Sequence, residues 1–174
     1  MCLANAVRRT TPTMETSATT AQQQNTNQQS RAALAAAARS SVGSTAWAYE
    51  TPPCGNKCSK FVADTIHSIG ADATFDLGGG NSRAPLAGEW ANTKAKIASW
   101  RVLGSDETPQ PGDVAAVHIM NVHQGASGHV GIVALDPSGR LSAVAQGDHG
   151  LGYDHNFIHG YADVTYRRYT GETQ

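Results

Sequence analysis

The hydrophobic period of this chain changes once, and the change restricts the fold more than anything else in it. In KCSKFVADTIHSIG, Phe61, Val62, Thr65, Ile66 and Ile69 recur at helical spacing, and Gly70 is a natural stop. From residue 111 onward the pattern becomes that of strands. PQPGDVAAVHI gives a turn and then a strand entering near Asp113. GHVGIVALD (128–136) predicts the next strand, PSGR a turn, and LSAVAQG a third. GYADVTYRRY (160–169) predicts the last, with Val164 and Tyr166 on one face. Helices first and an antiparallel sheet afterwards specify an α+β layer architecture, with N-terminal helices packed on a central antiparallel sheet.

The remaining segments are less constrained. Residues 1–30 are rich in Thr, Gln, Ala and Asn and bury little apolar area. RAALAAAARS (31–40) predicts a short helix, because alanine has the highest helix propensity. The expected organisation is an extension over 1–40, flexible apart from this alanine-rich helix, which either packs on the domain or frays, and one folded domain over 41–174. DLGGGNSRAPLAG (76–88) reads as mostly loop; its glycines lack the spacing and strand context of a dinucleotide-binding turn. EWANTKAKIASW (89–100) predicts a short helix.

Composition narrows the partners. The 174 residues carry a net charge of −1, with no basic stripe or aromatic ladder suited to nucleic acid. No segment approaches eighteen apolar residues, so no membrane insertion is expected. MCLANAVRRT has two arginines but is followed by TPTMETSATT rather than an apolar run, unlike a conventional secretory signal. The expectation is synthesis in the cytoplasm without a classical signal peptide. Three cysteines cannot all pair within one chain. PPCGN around Cys54 reads as a turn, and a Cys2–Cys54 bridge would leave Cys58 free.

Cys58 can be a core residue, a metal ligand, half of a disulfide or a nucleophile. Its place in the first turn of a helix favours the last. Unpaired backbone N–H groups and the helix dipole lower a thiol pKa there and are suited to an oxyanion. His129, after Gly128 at the start of an apolar strand, is the best base. A histidine closing a strand end is the plainer alternative. Gln146 and Asp148 share a face of the following strand if it persists, and either is a candidate to orient the imidazole. Charge favours Asp148, Gly147 blurs the register, and His149 is an outside candidate. Trp47, Trp90 and Gly79 of the glycine run at 78–80 are candidates to line a substrate groove, although tryptophans are more often packing residues and a glycine run is more often a surface loop. Seven histidines raise the alternative of a metallohydrolase, with His118 and His123, or His149, Asp154, His155 and His159 near Asp148. There is no HExxH and no paired-cysteine zinc spacing, so no metal or other cofactor is expected.

CSKFV followed much later by GHVGIV, with Pro111, Gly112 and Asp113 between, resembles the NlpC-type and CHAP-type cysteine peptidase and amidase superfamily. The resemblance covers about residues 44–150 and implies a papain-like fold. It maps the nucleophile onto Cys58 and the base onto His129. By CHAP-like spacing the third member falls on Gln146, with Asp148 two residues later; the shorter NlpC-like spacing falls near Ala143, which cannot serve. The resemblance implies hydrolysis of amide bonds in peptidoglycan stem peptides. The chain looks most like small amidase effectors delivered through a type VI secretion apparatus into the periplasm of a recipient bacterium and blocked by a cognate immunity protein. The competing expectations are a host-directed cysteine protease or deamidase, and a non-catalytic cell-wall binding protein.

Overall fold

The computed structural model describes residues 14–48, 57–119, 127–147 and 149–171, with side chains from residue 21. The helices are α1 (Met14–Ser40), α2 (Cys58–Ser68), α3 (Ala87–Ala91) and α4 (Asn156–His159). The strands are β1 (Phe75–Gly78), β2 (Asn81–Arg83), β3 (Trp100–Val102), β4 (Val114–Val117), β5 (His129–Leu135), β6 (Leu141–Gly147), β7 (Gly150–Asp154) and β8 (Thr165–Tyr169). β1 and β2 form a separate hairpin. The other six strands make one antiparallel sheet in the order β3-β8-β4-β5-β6-β7. The expected α+β arrangement, with the N-terminal helices on a central antiparallel sheet, is the one observed.

The strands at the centre of the sheet are apolar because both faces are covered. Along β5, Val130, Ile132 and Ala134 pack with Phe61, Val62 and Ile66 of α2 and with Leu34 and Ala38 of α1. The alternate residue Val133 joins Ala143, Ala145 and Phe157 in a smaller cluster on the other face, against which Val164 and Tyr166 pack. This is the two-residue period of a strand read on both sides. Trp47 and Phe61 meet edge-on at 5.6 Å, and the Trp47 indole N–H donates to Asp64 Oδ2 at 2.9 Å. Trp47 therefore braces the flank of α2.

Three expectations change. Helix α1 is much longer than the alanine run, and of the two outcomes open to that run, packing on the domain or fraying, it takes the first. Leu34, Ala35 and Ala38 are buried, a spacing that puts all three on one helix face. Asn27 donates its side-chain amide to Thr170 O, and Arg31 Nη1 donates to Gln110 Oε1 at 3.0 Å. At Gly112, with φ +89°, a Cβ would sit 2.1 Å from Arg31 O, so the backbones of α1 and the Pro111–Gly112–Asp113 turn approach as only glycine permits. Second, the helix expected over 89–100 ends at Ala91. Asn92 is extended, and Ile97 bridges to Phe75 and Trp100, which draws the following residues into β structure. Arg167, buried on β8, donates to the carbonyls of Trp90, Asn92 and Ala95 and so closes the end of α3. Burial pulls its pKa down to about 10. Third, residues 76–88 are not mostly loop: β1 and β2 pair across a turn at Gly79 and Gly80. Their side chains are mostly exposed, so no hydrophobic alternation marked them.

The packed half of α1 gives a direct test. Leu34 is 1 % exposed, and Leu34→Ala should cost about 2–5 kcal/mol in denaturant unfolding. A loss below about 0.5 kcal/mol would show that α1 does not carry core packing.

Candidate active site

Helix α2 starts without a short polar capping residue. Lys57 holds the N-cap position and makes no side-chain cap bond. Its backbone N–H instead donates to the side-chain oxygen of Gln146 on β6, at 2.7 Å. One strand of the sheet thus fixes the first turn of the helix, and Cys58 is the first residue of that turn. Cys58 is a free thiol, 4 % exposed, packed among the helix-side core residues.

The start of β5 comes to the same place. Gly128 precedes it because a Cβ there would lie 2.4 Å from Val117 O on β4. His129 follows, paired with Val117. The Cys58 thiol and the His129 imidazole are hydrogen-bond partners, and the backbone N–H of Val130 also donates to the sulfur. Burial pushes the Cys58 pKa up; His129, the Val130 N–H and the Ser59 side chain together outweigh it, and the net direction is down.

The group facing the far side of the ring is Asp154, at the end of β7. Its Oδ2 lies 3.6 Å from His129 Nε2. Strand register explains how residues two strands apart meet. Gly131, Ala145 and Gly152 form one row across β5, β6 and β7, and His129 and Asp154 stand diagonally on either side of it. A row of two glycines and one alanine leaves the space above it to the imidazole. Phe157 of α4 stacks on the ring at 5.1 Å, and Tyr161 approaches its edge at 6.5 Å. The Tyr161 hydroxyl donates to Asp154 Oδ2 at 3.2 Å, and Asn156 N–H to Oδ1 at 3.0 Å.

The electrostatics follow from this geometry. Burial lowers the His129 pKa, but Asp154 and Cys58 favour the imidazolium more strongly and raise it to about 9. His129 in turn lowers the Asp154 pKa, against the opposing effect of burial. A thiol shifted down beside an imidazole shifted up is the condition for a thiolate–imidazolium pair near neutral pH.

The sequence candidates therefore separate. Cys58 and His129 come together. Gln146 lies at the same end of the sheet and braces the start of α2, whereas Asp154 faces the ring. Asp148 lies outside the described residues, as do Cys2, Cys54 and His123. Trp90 does not line a groove: it is 1 % exposed and packs edge-on against Trp100 at 5.2 Å. Gly79 sits in the exposed β1–β2 turn. Asp154 was not read from sequence as an orienting group. The signal was Gly147 and Gly150 flanking two residues, a tight hairpin that turns the chain back and starts another strand. Among the described residues no group of three or more His, Cys, Asp or Glu is placed to hold a metal ion, and no helix is long and apolar enough to cross a membrane. An open cleft of about 470 Å³ runs along the β6–β7 hairpin, lined by Gln146, Gly152 and Asp154 among others.

Comparison with curated proteins and with solved structures gives no match. The family model of the CHAP domain matches residues 44–147, a span that contains Cys58, His129 and Gln146 and stops before Asp154. The chain belongs to the CHAP-domain family, a cysteine peptidase and amidase group broadly linked to peptidoglycan hydrolysis.

Proposed function

We propose that this protein is a cysteine amidase or endopeptidase that hydrolyses amide bonds in peptidoglycan stem peptides. The observation that carries the proposal is the Cys58–His129–Asp154 arrangement in a chain of this family. Cys58 attacks the substrate carbonyl as thiolate. The tetrahedral oxyanion is held by backbone N–H groups of the first turn of α2, whose position Gln146 braces. With Nε2 turned to Asp154, Nδ1 is the nitrogen that faces the thiol and passes its proton to the leaving amine. The C–N bond breaks and a thioester remains. His129, now neutral, takes a proton from water. The resulting attack releases the carboxylate product, and the thiol is restored. The cleft beside Gln146 and Asp154 is the natural bed for the peptide.

The narrower role in this proposal is that of an antibacterial effector. It would be passed through a type VI secretion apparatus into the periplasm of a recipient cell and neutralised in the producer by an immunity protein. The CSKFV and GHV stretches support it by resemblance. Directing the chain to the periplasm of a test bacterium should then lyse it, whereas Cys58→Ala should not. Lysis by both proteins, or by neither at matched expression, would remove this role.

The central experiment is mass spectrometry of purified peptidoglycan fragments bearing diaminopimelate after incubation with wild type and with Cys58→Ala. New stem-peptide ends are expected with wild type alone, and their masses identify the bond cut. Intact fragments after incubation with folded wild type would overturn the substrate assignment and favour a protein substrate or a binding role.

The pH profile tests the third residue. Because the folded environment favours protonated His129 up to about pH 9, kcat/KM should fall as pH rises through that value. Asp154→Asn should move this alkaline limb to lower pH and reduce kcat/KM by roughly 10²-fold. Gln146→Ala should reduce kcat/KM while leaving the limb in place, since Gln146 acts on the helix start. An unmoved limb in Asp154→Asn would place the orienting group elsewhere.

A further inference from the structure

A second cleft, of about 750 Å³, lies at the other end of the sheet, between α1 and the β3–β8 edge. Arg31 comes from α1, Arg101 from β3 and Arg168 from β8, and Gln24, Gln28 and Tyr169 stand among the lining residues. The nearby carboxylates are already engaged. Glu107 accepts from both terminal nitrogens of Arg101, each at 2.6 Å. Asp113 is fully buried and accepts from Arg168 Nε at 3.0 Å and Nη2 at 2.8 Å. Arg31 comes only within 4.0 Å of Asp113, and its closer bond is to the neutral Gln110 side chain. Among the described residues, three guanidinium groups thus share two carboxylates, and one positive charge is left over inside a concave, amide-rimmed surface. Arg31 Nε is buried without a hydrogen-bond partner among the described residues. Burial lowers the Arg31 pKa, Asp113 opposes this, and Arg168 and Arg101 add to it. An incoming anion would relieve that repulsion.

We propose that this cleft binds a carboxylate-bearing ligand that also carries hydroxyl or amide groups, at a site separate from Cys58. Guanidinium groups match the planar, two-oxygen geometry of a carboxylate. The side-chain amides of Gln24 and Gln28 offer donors and acceptors to the flanking groups, and both residues are exposed. The half-buried Tyr169 ring, packed on Trp100 at 5.4 Å, supplies a firm wall. The same chemistry is found in a free small carboxylate and in the acidic sugars and peptides of a cell-wall polymer.

The test uses the full chain carrying Cys58→Ala, so that no polymer is cut during measurement. Citrate and N-acetylmuramic acid are titrated calorimetrically at low salt, and insoluble peptidoglycan sacculi are used for co-sedimentation. Saturable binding is expected for at least one of the three, weakening as salt is added. Binding of N-acetylmuramic acid and sacculi that weakens in the second-cleft variants below identifies the polymer as the source, since binding at the Cys58 cleft is unaffected by them; binding of citrate alone identifies a free carboxylate. Arg101→Gln should weaken binding by about tenfold or more, and Gln24→Glu or Gln28→Glu by roughly three- to tenfold through added negative charge. The glutamate variants keep helix propensity on an exposed face, so they decide the matter even if Arg101→Gln does not fold. Absence of saturable binding of all three probes to folded protein would overturn the assignment. So would binding that all three substitutions leave unchanged, or equal affinity for neutral glucose.

Discussion

The start of helix α2 against the start of strand β5 is the contact on which the rest of this molecule depends. A helix N-terminus leaves backbone donors unpaired, and a strand end leaves a side chain with room to turn. Placed together, they put Cys58, His129 and the Val130 N–H in one buried spot. A thiol so deeply buried would ordinarily hold its proton. Here the imidazole, the Val130 N–H and the Ser59 side chain together outweigh desolvation, and the thiol shifts the other way. Gly128 allows β5 to run close under β4, and Gln146 ties Lys57 to β6. Both serve to hold the two ends in register.

The carboxylate that faces His129 reaches it by subtraction. Nothing bulky occupies the row formed by Gly131, Ala145 and Gly152, so ring and carboxylate meet diagonally across three strands. A larger residue at Gly131 would meet Val144 O at 2.7 Å before it could block the ring. The small residues that make the strand sequences look featureless are therefore what lets distant parts of the sheet share one site. Phe157 and Tyr161 then close over the pair from the segment after β7.

How much of this was legible depended on whether the signal was local. The period of α2 and the apolar runs of β4, β5 and β6 reflect burial, and each could be read in its own segment. Cys58 and His129 were legible for the same reason: each stands at the start of such an element. The carboxylate that faces His129 was not, because its identity depends on register across two hairpins, and the chain turns back through Gly147 and Gly150 before Asp154 is reached. The match to the CHAP family ends at residue 147 and so stops short of it as well. Trp90 was misplaced because an aromatic side chain looks the same in sequence whether it lines a groove or packs on Trp100. The β1–β2 hairpin was hidden because it buries little, and the length of α1 because its N-terminal half is polar.

Helix α1 connects these observations to the second cleft. Its apolar face is short, with Leu34, Ala35 and Ala38 near the C-terminal end. Among the described residues, the turns before this face are joined to the sheet by polar contacts from Asn27 and Arg31. Those contacts fall around the Pro111–Gly112–Asp113 turn and the end of β8, where Asp113 and Arg168 form their buried pair. An arginine on the last polar turn before the core is thereby drawn toward a carboxylate that another arginine already satisfies. The same arrangement that docks α1 leaves a surplus of positive charge beside it. Removing Asp113 would not simply release Arg168. It would leave Arg31, Arg101 and Arg168 with Glu107 as the one carboxylate facing them among the described residues, so the docking of α1 and the charge of the cleft change together.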